Sequence, residues 1–214
     1  MPTIIYEKIP GVQLRRDQYQ TFPIAFNSNK KNTLQQLDLF LAGTQELHKA
    51  GFVHGDIKPQ NIWVVYKNPV AQGLERLVLG DFDTIKRTGE QRHPNATAGY
   101  FPPEFLSQNN TLTSTSDIFQ LGKTLFRIFG NCFDTGFTWL SDPNEDISDN
   151  PEFQKQFIDA FGNQVFTILR KCIEQNPQER YQTVEELRQE LIPALAEAWG
   201  VELPESSSPL PPPA

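Results

Sequence analysis

The densest chemistry in the sequence sits in one run, His54-Gly55-Asp56-Ile57-Lys58-Pro59-Gln60-Asn61, which puts a carboxylate, an ammonium and a carboxamide within a single short turn. Phosphoryl transfer needs three such groups. One accepts or orients the nucleophile's proton, one meets the charge on the moving phosphoryl, and one offers an oxygen to Mg²⁺; Asp56, Lys58 and Asn61 would supply one each. A plainer reading stands beside it, in which His54, Asp56 and Asn61 only tie down a loop through side-chain-to-backbone bonds, the commoner use of an isolated loop aspartate. Spacing alone does not choose between them.

The elements that must hold this run are legible from period and caps. Thr33-x-x-Gln36 has the form of a capping box, and Leu34, Leu37, Phe40/Leu41, Thr44 and Leu47 recur at helical spacing until Gly51 can end the helix. After the run, Ile62-Trp63-Val64-Val65-Tyr66 and Leu77-Val78-Leu79 flank a turn-rich stretch, which predicts a hairpin. A second helix starts near Thr115, and Ile118, Leu121, Leu125, Phe126, Ile128 and Phe129 cover most of its circumference, so it should be buried all round. Phe153, Phe157 and Phe161, then Val165, Phe166, Leu169 and Cys172, predict two helices broken near Gly162; a last one opens with Thr183-x-x-Glu186 and carries Leu187, Leu191 and Leu195. The expected body is mainly α with a small β-hairpin.

Five motifs, taken in order, resemble the protein kinase family. His54-x-Asp56-x-Lys58-x-x-Asn61 is similar to the kinase catalytic loop, and the Lys two residues after the Asp resembles the Ser/Thr-specific branch. Asp81-Phe82-Asp83 matches the metal-binding Asp-Phe-Gly except at its third position, and Pro102-Pro103-Glu104 stands in place of Ala-Pro-Glu. Asp117-x-x-x-x-Gly122 resembles the helix whose Asp fastens the catalytic loop, and Pro177-x-x-Arg180 the late arginine that pairs with the carboxylate of Glu104. The resemblance implies ATP and Mg²⁺ as cofactors. Asp56 and Lys58 would be catalytic, Asn61 and Asp81 the metal and nucleotide ligands, and Glu7 and Ile9 the hinge residues against the nucleotide.

The likeness covers about residues 3–199 but only the C-lobe of a kinase. No Gly-rich phosphate-covering loop, strand Lys or helix Glu precedes it, and Lys8, in the hinge, cannot substitute. The expectation is a kinase-like C-lobe over 15–200, an N-lobe remnant strand and hinge over 1–14, and a Pro/Ser-rich tail over 201–214. A chain of this kind should be slow or inactive alone and should need an N-lobe supplied elsewhere; a catalytically inactive, pseudokinase-like scaffold is the alternative. Either way a protein substrate or a partner chain is implied, and the apolar strand 3–6 offers an open edge for an oligomer. Gly55 stands where many kinases have Arg, Asp83 replaces a Gly, and Trp63 falls where the family places a small aliphatic floor beneath adenine; it would stack on the base, fill its pocket, or simply pack on the core as a hairpin Trp.

Composition sets the outer bounds. Lys+Arg 19 against Asp+Glu 26 leaves a net charge of −7, which argues against a nucleic-acid partner. No run approaches the length of a membrane span, and the opening residues lack a signal-peptide pattern, so the cytoplasm is the expected location. Cys132 and Cys172 read as reduced, structural thiols, and His48, six before His54, has too few neighbours at ligand spacing for zinc. Thr84 and Thr88 read as solvated loop residues.

Overall fold

The computed structural model describes residues 12–13, 29–66, 74–91, 99–106, 111–130 and 147–203. Within them a three-stranded antiparallel sheet leans on a bundle of four helices. β1 (Val12–Gln13) pairs with β3 (Ile62–Tyr66), the register setting Val12 opposite Val64 and Gln13 opposite Trp63; β2 is the short strand Phe52–Val53. β4 (Leu74–Leu79) pairs with the other edge of β3 from Ile62↔Leu79 to Tyr66↔Leu74, and β2 pairs with β5 (Lys86–Arg87) in a separate ribbon. The predicted hairpin is therefore present, lengthened at the start of its second strand and joined by a third.

α1 (Lys30–Lys49) begins a turn earlier than the capping-box reading placed it. Asn29 is the N-cap, its side chain accepting from Asn32 N–H at 3.0 Å, and Thr33 is buried inside the helix. The reason is local: Asn is as good a cap as Thr, and Asn29 lies a turn ahead. α2 (Ser114–Gly130) is buried from Thr115 to Phe129 save for the half-buried Lys123, as its apolar circumference required. α3 (Pro151–Cys172) is two helices joined at Gly162, whose φ of 84° takes the backbone out of the helical region. α4 (Val184–Trp199) starts at the N-cap Thr183, whose Oγ1 accepts from Glu186 N–H at 3.1 Å, and buries Leu187, Leu191 and Leu195 completely.

The core lies between α2 and α3, where the rings of Phe126, Phe153, Phe157 and Phe166 pack edge to face or tilted at centroid distances of 5.2 to 6.2 Å. Gly122 lets the two helices touch. A Cβ there would stand 2.6 Å from Cys172 Cβ and 2.8 Å from Ile173 Cγ2. α1 is fastened to α4 by the Arg188 guanidinium, whose Nε and Nη2 donate to the two oxygens of the buried Asp38 at 2.6 and 3.1 Å. Among the described residues no helix is long and apolar enough to cross a membrane.

Candidate active site

The run from His54 to Asn61 leaves the β2–β5 ribbon and enters the three-stranded sheet at β3, so it lies between the bundle and the hairpin. Its backbone is irregular and buried, which demands a partner for every N–H and C=O. Side chains provide them all between His54 and Ile57. Asp117, fully buried on α2, accepts from His54 N–H through Oδ2 and from Gly55 N–H through Oδ1, both at 2.8 Å. Gln120 donates to Gly55 C=O at 3.0 Å and accepts from Ile57 N–H at 2.8 Å, while Thr124 Oγ1 donates to Ile57 C=O at 3.2 Å. Thr84 Oγ1 donates to His54 C=O at 2.9 Å, a correction to its reading as a solvated loop residue. Asn61 Nδ2 donates to Asp56 C=O at 2.8 Å, and His54 Nδ1 accepts from Asp56 N–H at 3.3 Å. That last bond sets the imidazole tautomer: Nε2–H donates to Gly80 C=O at 3.0 Å. Gly55 has φ +78°, a conformation that leaves its backbone open to Asp117 and that an arginine would adopt only under strain.

Around this frame the reactive groups converge. Lys58 Nζ donates to Asp56 Oδ2 at 2.6 Å, and Asn61 Nδ2 reaches the same oxygen at 3.2 Å. The other oxygen, Oδ1, is buried and has no hydrogen-bond partner. Asn61 C=O accepts from Gly80 N–H at 2.8 Å, so Asp81 follows the residue directly opposite Asn61 across the hairpin. Asp81 is exposed and left-handed, φ 63° and ψ 64°, the one described non-glycine with positive φ. Such strain is retained at functional positions more than elsewhere. With its amide nitrogen committed to Asp56, Asn61 turns Oδ1 the other way; a carboxamide oxygen and an exposed carboxylate fit Mg²⁺, which takes one or two protein oxygens and keeps waters and phosphates for the rest.

The neighbouring segments are tied in. Arg180, 3% exposed, donates to Glu104, to Glu174 C=O, Thr115 C=O and Gln175 C=O, and lies 4.8 Å from the Phe119 ring centroid. Trp63 is half-buried, and a Cβ on Gly80 would stand 2.7 Å from its indole Nε1. Glu7 and Ile9 lie outside the described residues, as does the strand 3–6. Three polar residues of this frame escaped the sequence reading. His48 Nε2 meets Asp117 Oδ2 at 2.8 Å, and Gln120 and Thr124 share the face of α2 that Asp117 occupies. For Gln120 and Thr124 the signal was their spacing along α2, three and then four residues on from Asp117; His48, on α1, had none.

These motifs, in this order on a mostly helical body with a small β-hairpin, follow the protein kinase pattern, and comparison with known proteins agrees. The sequence matches the protein kinase domain over residues 5–192, so the chain belongs to that family. It is similar to the serine/threonine-protein kinase PknB of Mycobacterium tuberculosis, 24% identical over 196 residues, covering 90% of this chain and 30% of the relative. It is likewise similar to the eukaryotic translation initiation factor 2-alpha kinase 1 of Plasmodium falciparum, 30% identical over 183 residues, covering 83% of this chain and 11% of that one. The chain thus spans less than a third of the length of these relatives.

Proposed function

We propose that this chain carries the catalytic loop and metal segment of a Ser/Thr protein kinase and transfers the ATP γ-phosphoryl group to a protein hydroxyl once its nucleotide is clamped from above. The observation that carries the reading is the asymmetry of Asp56: Oδ2 is held by Lys58 and Asn61, while the buried Oδ1 has no partner. A buried carboxylate oxygen without a bond is costly, and a substrate hydroxyl would satisfy it. In the step, the hydroxyl oxygen attacks the γ-phosphorus, the bond to the β-phosphate oxygen breaks, the hydroxyl proton passes to Asp56 Oδ1, and ADP leaves. Lys58, bonded to Asp56, is placed to meet charge on the transferring group. Asn61 and Asp81 would hold Mg²⁺, which neutralises charge on the phosphates when bound. Glu7 and Ile9 are proposed to contact the nucleotide from the hinge.

We assign residues 1–14 to a remnant strand and hinge, 15–200 to a C-lobe and 201–214 to a tail. Residues 1–53 hold three glycines, Gly11, Gly43 and Gly51, none in a Gly-rich repeat. The phosphate clamp is therefore proposed to come from another polypeptide or another part of a longer protein, because positioning supplies most of the catalysis in this reaction class. A second reading, a pseudokinase-like scaffold, is favoured by Trp63, whose indole packs across Gly80 next to Asp81. Mg²⁺-ATP turnover to ADP by the chain, in the presence of a separately supplied kinase N-lobe, separates the two. Turnover that Asp56→Asn abolishes supports the kinase; the same rate in both proteins supports the scaffold.

A further inference from the structure

On the reading that Asp56 takes the substrate proton, we propose that Gln120 is the positioning residue that sets where the Asp56 carboxylate points. A side chain's direction follows from the two peptide planes that flank it, because each plane is rigid and only φ and ψ between them are soft. The plane before Asp56 contains Gly55 C=O and Asp56 N–H; the plane after it contains Asp56 C=O and Ile57 N–H. Gln120 grips both, donating through Nε2 to Gly55 C=O at 3.0 Å and accepting through Oε1 from Ile57 N–H at 2.8 Å. The far edges of the same planes are held separately, the first by His54 Nδ1 at 3.3 Å and the second by Asn61 Nδ2 at 2.8 Å.

Among the described residues Gln120 alone bonds to both planes. Asp117 takes the N–H groups of His54 and Gly55, which belong to earlier planes, and Thr124 takes Ile57 C=O, which belongs to a later one. The task requires one donor and one acceptor on a single rigid group, which a carboxamide supplies and a carboxylate does not. It also requires rigidity. Gln120 is 1% exposed on a helix that is itself buried, so its amide cannot swing out to water.

The test compares the full 214-residue chain with Gln120→Leu and Gln120→Glu. The readouts are the ¹³C resonance of the Asp56 carboxyl, the exchange protection of the Ile57 amide, and Mg²⁺-ATP turnover with a supplied N-lobe. Gln120→Leu is expected to shift the carboxyl resonance, to lower Ile57 protection by about tenfold or more while the α2 amides stay protected, and to cut kcat by roughly ten- to a hundred-fold with KM for ATP unchanged. Gln120→Glu is expected to behave like the leucine variant near pH 8 and to return toward the parent near about pH 6, because a protonated buried carboxyl regains the missing donor. Gln120→Leu should show no such recovery. A parent-like Asp56 resonance and Ile57 protection in either variant at pH 8 overturns the proposal. If Gln120→Leu does not fold, the two pH values of Gln120→Glu decide alone. If the parent turns over no ATP, the role of Asp56 fails while the resonance and protection still judge the bracket.

Discussion

Arg180 and Glu104, 76 positions apart, meet as a bidentate pair, Nη1 to Oε1 at 2.9 Å and Nη2 to Oε2 at 2.8 Å. The arginine side chain is 0% exposed and the carboxylate 17%, so the pair joins the segment ending at Pro102-Pro103-Glu104 to the turn before α4 from within. Removing one partner leaves the other charge in a poor solvent.

Arg180→Met is therefore expected to cost about 3–5 kcal/mol and to lower the melting temperature by roughly 6–20 °C. Arg180→Lys should recover only part of this, since an ammonium cannot make the two-pronged contact or reach three carbonyls at once. Scanning calorimetry of the variants gives the answer; a loss under about 1 kcal/mol would mean that the pair is solvated, as surface pairs are.

Stability is expected to fall on the alkaline side. Burial pushes the Cys172 thiol well above its ordinary 9.0, and burial with the hydrogen bond to Glu190 pushes Tyr181 above its ordinary 10.0. Both groups stay protonated in the fold while the unfolded chain releases their protons. Their contribution is thus full below about pH 8.5 and shrinks as pH rises past the unfolded values, by up to about 1.4 kcal/mol per pH unit for Cys172. Urea midpoints between about pH 8 and pH 11 should decline, less steeply in Cys172→Ala. A flat profile in the parent would show that water reaches both groups.

Gly80→Ala should disturb Trp63, because the added Cβ would lie 2.7 Å from Nε1 and 2.8 Å from Cδ1 of the indole. The expected loss is about 1–3 kcal/mol, with a change in indole fluorescence. Trp63→Leu in the same chain should relieve most of it, giving a coupling of about 1 kcal/mol or more in a double-mutant cycle. Additive losses would place the indole away from Gly80.

Much of this was legible in the sequence where one element decides the outcome by itself. The break at Gly162, the cap at Thr183 and the all-round burial of α2 each follow from local residue types and period. The start of α1 was misplaced because two caps competed and the earlier one, Asn29, won. The polar frame of the His54–Asn61 run was hidden for a different reason. Thr84, Gln120 and Thr124 reach it from a 3-10 turn and from α2, 30 to 67 positions away; spacing puts Gln120 and Thr124 on the face of Asp117, but nothing local names the backbone groups they meet. Asp56, Lys58 and Asn61 were found because they lie close in sequence as well as in space.

The most direct test is calorimetric titration of Mg²⁺-ATP into the chain and into Asp81→Ala, each repeated without the metal. The expected result is binding by the parent that requires Mg²⁺ and is lost in Asp81→Ala, with the helical fold of the variant intact. Binding indifferent to Mg²⁺ and to Asp81, or none in the parent at millimolar nucleotide, would contradict a metal and nucleotide half-site at Asn61 and Asp81.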